Sequence, residues 1–441
     1  MLGWRILGQG EYKLDIPELS DDEKRLILAT EERIKEIART NSVDDLEARK
    51  SMIESAMSYC VNKNCFYLNS NQTAYLNKIA FIHIYGFGFL EQLVNDNEIE
   101  EISIIGPNKP VYVYIRKIGW KSINACFETE QAIADMINKM ARGLGRHITM
   151  QNPRLDAVLP NGSRLHASLA PISEGEITVR KFRQRPFSPK ELSGDLVSIE
   201  GLALLSMIMQ CDFSVILAGN TASGKTTTMN SLFSFIPSTE RVIITEETPE
   251  INVPHKHQLR LVANKEMDVK LKDLVYDSLR MRPDRVIIGE VRNKEEIEAL
   301  FDVLLAGQAR GNYATFHAQS ADETLTRLSS FGIRRADLTC IDCIVVQRRM
   351  LEYNHQKREN REIRRITDIA EVRGEVTHSL YHDGRLHLQE SLLVEKICDH
   401  FKLGKKELEV ELGKRKQLIL NANSDYFEFF DHIQKALYGG E

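Results

Sequence analysis

Eight consecutive residues, Gly219-Asn220-Thr221-Ala222-Ser223-Gly224-Lys225-Thr226, complete the pattern G-x-x-x-x-G-K-[ST]. These residue types suit one task, the holding of a polyphosphate. Glycines let the backbone curl until successive N–H groups face an anion, and a helix opening at the end of the loop adds its positive dipole end. Lys225 would then reach the β and γ oxygens, the Thr226 hydroxyl would bind Mg²⁺, and Thr227 would complete the cradle. The bland alternative is a glycine-rich turn without a ligand. Context argues against it: an apolar run at 213–218 reads as a buried strand, and Met229, Leu232, Phe233 and Ile236 repeat on one helical face until Pro237.

Further strands are expected at 242–245, 285–288 and 313–316, with helices at 269–280 and 294–306 between them. Such alternation predicts an α/β domain at 197–375 with a mostly parallel sheet, whose strands all end at one edge, where ligands bind. Polar groups follow each strand: Glu246 and Glu247, then Glu290, then His317. Glu290, after Val286-Ile287-Ile288-Gly289, fits an acid that holds the Mg²⁺ shell or orients water, against the alternative of a surface glutamate opening a helix. Glu246 or Glu250 could serve as general base while the other holds the loop around Thr248-Pro249. His317 could donate to a γ-phosphate or simply be structural. Transition-state charge calls for an arginine, often from a neighbouring subunit. Arg280 and Arg282 before Pro283 are candidates, as are Arg154, Arg164 and Arg180, the last beside Lys181.

The elements that must position these groups occupy a chain of 441 residues, long enough for two or three domains. Ser20 with Glu23 forms a capping box for the first of two helices in a helical segment at 1–65. Residues 66–183 alternate short strands with a helix at 130–142, then give a hairpin whose arms, 154–159 and 164–169, are joined through Asn161-Gly162, a small α+β domain. Arg-Pro-Phe-Ser-Pro and Ser-Gly-Asp mark 184–196 as a linker about which domains could move, and 376–441 reads as a helical tail.

A net charge of −5 gives no general attraction to polyanions. Seven cysteines without a signal-like opening favour reduced thiols. Cys60/Cys65 and Cys340/Cys343 have spacings that invite zinc, but no second C-x-x-C pair stands beside the latter. The longest apolar stretch, 202–218, is broken by Gln210, Cys211 and Asp212, so any membrane association is expected to be peripheral.

Taken together, the motifs resemble the type II/type IV secretion superfamily of ATPases, the motors of secretion systems, type IV pili and archaeal filaments. The likeness runs from about 90 to 373. It includes 93–96 with 100–103, the stretch from Arg154-Leu155-Asp156 to Ser163-Arg164, Ile177-Thr178-Val179-Arg180-Lys181-Phe182 and the Walker A loop. It continues through an Asp box at Thr245-Glu246-Glu247-Thr248-Pro249-Glu250, a Walker B acid at Glu290 and a His box around His317. Two departures stand out: Glu247 replaces the usual aspartate, and Ala306-Gly307-Gln308 stands where Thr-Gly-His usually opens the His box. The paired C-x-x-C motif of some bacterial members is missing, which together with the tail looks more like the archaeal branch. The resemblance implies a RecA-like ATPase domain using ATP and Mg²⁺, a homohexameric ring with sites between subunits, and docking on a polytopic platform protein at the cytoplasmic face of the membrane. No nucleic acid is expected.

Two rivals belong to other classes. A nucleic-acid translocase would use the Arg- and Lys-rich stretch 348–365, although Glu352, Glu359 and Glu362 make it read as a solvated face. A regulatory ATP-binding scaffold would bind nucleotide and hardly turn it over.

Overall fold

A computed structural model describes residues 4–7, 10–14, 19–38, 45–64, 66–183, 185–264, 267–356 and 358–439. It divides into two compact units, Met1–Arg183 and Gln184–Glu441.

The first unit opens with β1 (Trp4–Ile6), α1 (Asp21–Ala38), α2 (Leu46–Lys63), α3 (Ser70–Ile84) and α4 (Leu90–Asn95). It continues with β2 (Ile99–Ile104), β3 (Pro110–Ile115), β4 (Gly119–Phe127), α5 (Glu130–Ala141), β5 (Arg154–Val158), β6 (Arg164–Ser168) and β7 (Glu176–Arg180). The strands pair antiparallel in the order β1-β4-β3-β2-β7-β6-β5. The expected capping box is made: Ser20 N–H donates to Glu23 Oε2 at 2.8 Å and Glu23 N–H to Ser20 Oγ at 3.3 Å. Among the described residues, those before Phe66 do not stand apart as a helical segment. Trp4 sits opposite Phe127 in the sheet, and Leu26, Ile27, Ile53 and Met57 share one core with Ile102, Val113 and Ile137. A three-residue strand is too short to show periodicity, and the apolar face of α1 needs a partner to cover it.

The second unit begins with α6 (Pro189–Leu192), α7 (Ile199–Gln210), β8 (Ser214–Gly219), α8 (Lys225–Leu232), β9 (Val242–Glu246) and β10 (Gln258–Val262). Then come α9 (Leu271–Ser278), β11 (Arg285–Val291), α10 (Lys294–Ala306), β12 (Gly311–Phe316) and α11 (Ala321–Ser330). It ends with β13 (Cys343–Asn354), β14 (Glu359–Arg373), β15 (Val376–His382), β16 (Arg385–Leu386), α12 (Leu392–Phe401), α13 (Lys405–Asn421) and α14 (Tyr426–Tyr438). The sheet order is β10-β9-β11-β12-β8-β13-β14-β15-β16. Pairings from β10 through β13 are parallel; those from β13 to β16 are antiparallel. The sheet is therefore mixed, and "mostly parallel" describes only the block that ends in β13.

Two boundaries move. Residues 185–196 are packed onto the second unit rather than left as a linker; Gln184 lies outside the described residues. Ser188 and Glu191 form a capping box with Pro189 at the first turn, so α6 nucleates despite its loop-like composition. Ser188 Oγ donates to Ser424 O at 2.9 Å and Lys190 Nζ to Ala422 O at 2.6 Å, pinning it to the turn before α14. The tail expected as helical at 376–441 opens with β15 and β16, because β14 offers an edge and Leu380 and Tyr381 are buried there. Its helices then cover the far side of α8: Tyr426 OH donates to Asn230 O at 2.9 Å and Tyr438 OH to Phe235 O at 2.6 Å. Among the described residues, no helix is long and apolar enough to cross a membrane.

Candidate active site

Because β8, β9, β11 and β12 run parallel and side by side, their C-terminal ends share one edge. The phosphate loop leaves β8 there. Ala222 (φ 59°) and Gly224 (φ 95°) adopt left-handed backbone, which curls the loop around the N-terminus of α8. Lys225 is 8% exposed, and its Nζ donates back to Gly219 O and Asn220 O at 3.0 and 3.2 Å. Gly219 must be glycine: a Cβ there would lie 2.1 Å from Gln347 O on the neighbouring strand.

The carboxylates divide into distinct settings. Glu246, at the end of β9, is 2% exposed. Its Oε1 accepts from the backbone N–H of Glu250 at 2.7 Å and of Ile251 at 2.8 Å, and Arg260 Nε stands 3.3 Å from Oε2. Burial raises its pKa to about 7 against the opposing pull of those amides and Arg260. Glu250 faces the loop instead: Thr226 Oγ1 donates to its Oε2 at 3.1 Å, and its carbonyl accepts from Asn230 Nδ2 on α8 at 3.0 Å.

Glu290 was expected just after a strand; it lies within β11, at an irregularity between Ile288 and Val291. The bulge re-aims its side chain at the strand-end groups. His317 Nε2 contacts Glu290 Oε1, and Arg292 Nε donates to Glu290 Oε2 at 2.7 Å. Burial raises the pKa of Glu290, but His317 and Arg292 outweigh it and hold the carboxyl at about 2. Arg292 Nη1 also reaches Glu247 Oε2 at 2.8 Å.

The fold thus brings the loop, Glu246, Glu250, Glu290 and His317 to one edge. It does not bring Arg280 there. Arg280 lies five residues before β11 begins, beyond the opposite edge, and a strand of seven residues spans about 20 Å. Its side chain is 84% exposed beside Asp277. Arg180 belongs to the first unit, on β7 opposite Glu101 and Arg164. Cys60, Cys340 and Cys343 are unbridged, Cys65 lies outside the described residues, and no cluster of three His, Cys, Asp or Glu suited to a metal occurs among the described residues.

Sequence reasoning missed Arg260, Asn230 and Gln347, which join the loop or its helix to elements far along the chain. It quoted Arg292 within a motif and gave it no role. The acid at the strand bulge with a basic residue two positions on was the available signal.

The donor set fits a magnesium nucleotide. The curled loop, a helix N-terminus and Lys225 suit phosphate, and the Thr226 hydroxyl with nearby carboxylates supplies the hard oxygen ligands Mg²⁺ prefers.

Comparison with known proteins agrees. An archaeal protein of Methanocaldococcus jannaschii, MJ0781, is 36% identical over 234 residues, covering 50% of this chain and 32% of its own length. A second from that organism, MJ0900, is 32% identical over 298 residues, covering 66% of this chain and 52% of its own. The chain thus spans about a third to a half of the length of these relatives. The type IV secretion system protein VirB11 of Bartonella quintana is 27% identical over 299 residues, 58% of this chain and 82% of VirB11. The family model described as "Type II/IV secretion system protein" matches residues 85–425, and the chain belongs to that family.

Proposed function

We propose that the chain is an ATP-hydrolysing motor, RecA-like in its second unit, that drives protein secretion or assembly of a pilus-like filament. Family membership supports it, and so does the likeness to VirB11, a type IV secretion system protein. The observation that carries the reading is the bond from Thr226 Oγ1 to Glu250 Oε2 at 3.1 Å, which joins a hydroxyl suited to Mg²⁺ to an acid beside the phosphate loop.

When bound, ATP supplies the phosphoryl group and Mg²⁺ the charge that neutralises it. The loop amides from Gly219 to Thr227 and Lys225 hold the phosphates. Thr226 Oγ1 would be the metal ligand, and Glu290 would support the metal shell. Pinned by Arg292 and His317, Glu290 stays ionised and is a poor proton acceptor near neutral pH. Glu250 accepts the proton of the attacking water. Glu246 is a positioning residue, because both bonds to its Oε1 come from the amides that set Glu250 in place. His317, on the other oxygen of Glu290, would donate to the γ-phosphate and report its presence. Arg180 and Arg280 are candidates for charge supplied by a neighbouring copy in a homohexamer. Docking against a polytopic platform protein at the cytoplasmic face of the membrane belongs to the same proposal.

The test is steady-state phosphate release and nucleotide affinity for wild type, Lys225→Ala and Glu290→Gln. Lys225→Ala should weaken nucleotide binding by roughly 10- to 100-fold, the scale of charged hydrogen bonds, while Glu290→Gln should bind and lose turnover. Equal turnover in all three would rule out the motor.

A further inference from the structure

A loop that turns its N–H groups inward turns carbonyls outward, and each buried carbonyl needs a donor. Gly219 O uses Lys225 Nζ, the group that a bound phosphate would claim, and Asn220 O shares that Nζ with the Ser223 N–H at 3.2 Å. Ser223 O has a different partner, Gln347 Nε2 at 2.5 Å. Gln347 is 1% exposed and lies on β13 in register with Gly219, where β8 gives way to the loop. Its Oε1 accepts from Thr228 Oγ1 at 2.7 Å, in the first turn of α8, so the amide can face the loop only with its nitrogen.

The consequence is geometric. A trans peptide carries its C=O and N–H on opposite sides of the chain. Fixing Ser223 O against Gln347 therefore sends the Gly224 N–H the other way, away from β13. Asn220 holds β13 in place for this: its Nδ2 donates to Arg349 O at 2.9 Å, and its Oδ1 accepts from Arg349 N–H at 2.8 Å. These two bonds extend the pairing of β8 and β13 beyond the last residue of β8.

We propose that Gln347, kept in register by Asn220 and oriented by Thr228, is a positioning residue that aims the Gly224 amide at a bound phosphate. This rests on the nucleotide reading above. Gln347 then acts on phosphates held by the loop amides, whatever the nucleotide's fate.

Equilibrium binding of ADP, a non-hydrolysable ATP analogue and adenosine to Gln347→Leu, with kcat and KM for ATP, tests the proposal. ADP and the analogue should both bind roughly tenfold more weakly, as expected when a buried carbonyl loses its donor. Adenosine should bind as to wild type, and KM should rise more than kcat falls. Thr228→Val, which keeps the packing and frees Oε1, should show the same pattern at a smaller factor, and it decides the matter if Gln347→Leu does not fold. A purely structural role would lower thermal stability and leave the affinity of the folded protein unchanged. If Lys225→Ala weakens binding while a folded Gln347→Leu, or Thr228→Val in its place, binds ADP like wild type, the positioning role is overturned. If Lys225→Ala changes nothing, the nucleotide reading itself fails.

Discussion

The two edges of the second unit's sheet both bury charge, and they do opposite things with it. At the N-terminal edge, Arg285 is 1% exposed and fully enclosed by protein partners. Its Nε binds Glu240, Nη1 donates to Cys211 O at 2.8 Å and Tyr313 OH at 3.1 Å, and Nη2 reaches Glu240 Oε1 at 3.3 Å. Even Gly311 is fitted to it, since a Cβ there would lie 2.5 Å from Arg285 Nη1. At the C-terminal edge, Lys225 satisfies itself on the carbonyls of its own loop, and Glu250 is held by a hydroxyl suited to a metal. Buried charge alone therefore does not mark a site. What separates the edges is whether the partners could be exchanged for a ligand.

The sharpest way to break this comparison is to remove Arg285. Arg285→Met should cost about 3 kcal/mol of stability in chemical denaturation, because it removes the enclosed partner of Glu240 and leaves that buried carboxylate only the exposed Arg310, 3.2 Å away, and should leave the nucleotide affinity of the folded protein unchanged. Adding Glu240→Leu should recover much of the loss. If Arg285→Met instead abolished nucleotide binding in folded protein, the two edges would not be distinct.

A smaller effect separates Glu246 from Glu250. With its pKa raised from 4.5 to about 7, the folded state favours the protonated carboxyl of Glu246. The stability this contributes is complete below pH 4.5 and declines as pH rises through about 7. Glu246→Gln keeps the acceptor for the Glu250 and Ile251 amides, so denaturation midpoints measured from pH 5 to 9 should fall less steeply than in wild type. An identical slope would remove the case for a titrating clamp. Turnover should drop less than about tenfold, since no proton passes through the side chain.

The smallest effect concerns the brace behind α8. Tyr426→Phe leaves Asn230 O without its donor and should cost about 1 kcal/mol in chemical denaturation, with nucleotide binding kept. A large loss of binding would make the C-terminal helices part of the site.

Much of the C-terminal edge was legible because its signals are local. The loop pattern is contiguous, and α10 was bounded correctly by its Asn293 cap and by Gly307, whose φ is 60°. Other features were hidden because their causes are distant in the chain. Gln347 has no signal within Val346-Gln347-Arg348-Arg349; its partner Ser223 is 124 residues away. The stretch from Arg348 to Arg365 read as a solvated face because Glu352, Glu359 and Glu362 interleave its basic residues, and 351–356 are exposed; what stayed hidden is that it pairs as β13 and β14, with Arg348 opposite Arg365. Arg280 and Arg282 drew attention near Pro283, while the enclosed arginine is Arg285, whose burial only the packing of α7 and β12 could create.

The most direct test of the central claim is a paired measurement on Glu250→Gln: ATP affinity and phosphate release. The account predicts wild-type affinity with turnover lower by about 100- to 10,000-fold, the usual share of a general base. Unchanged turnover would contradict it.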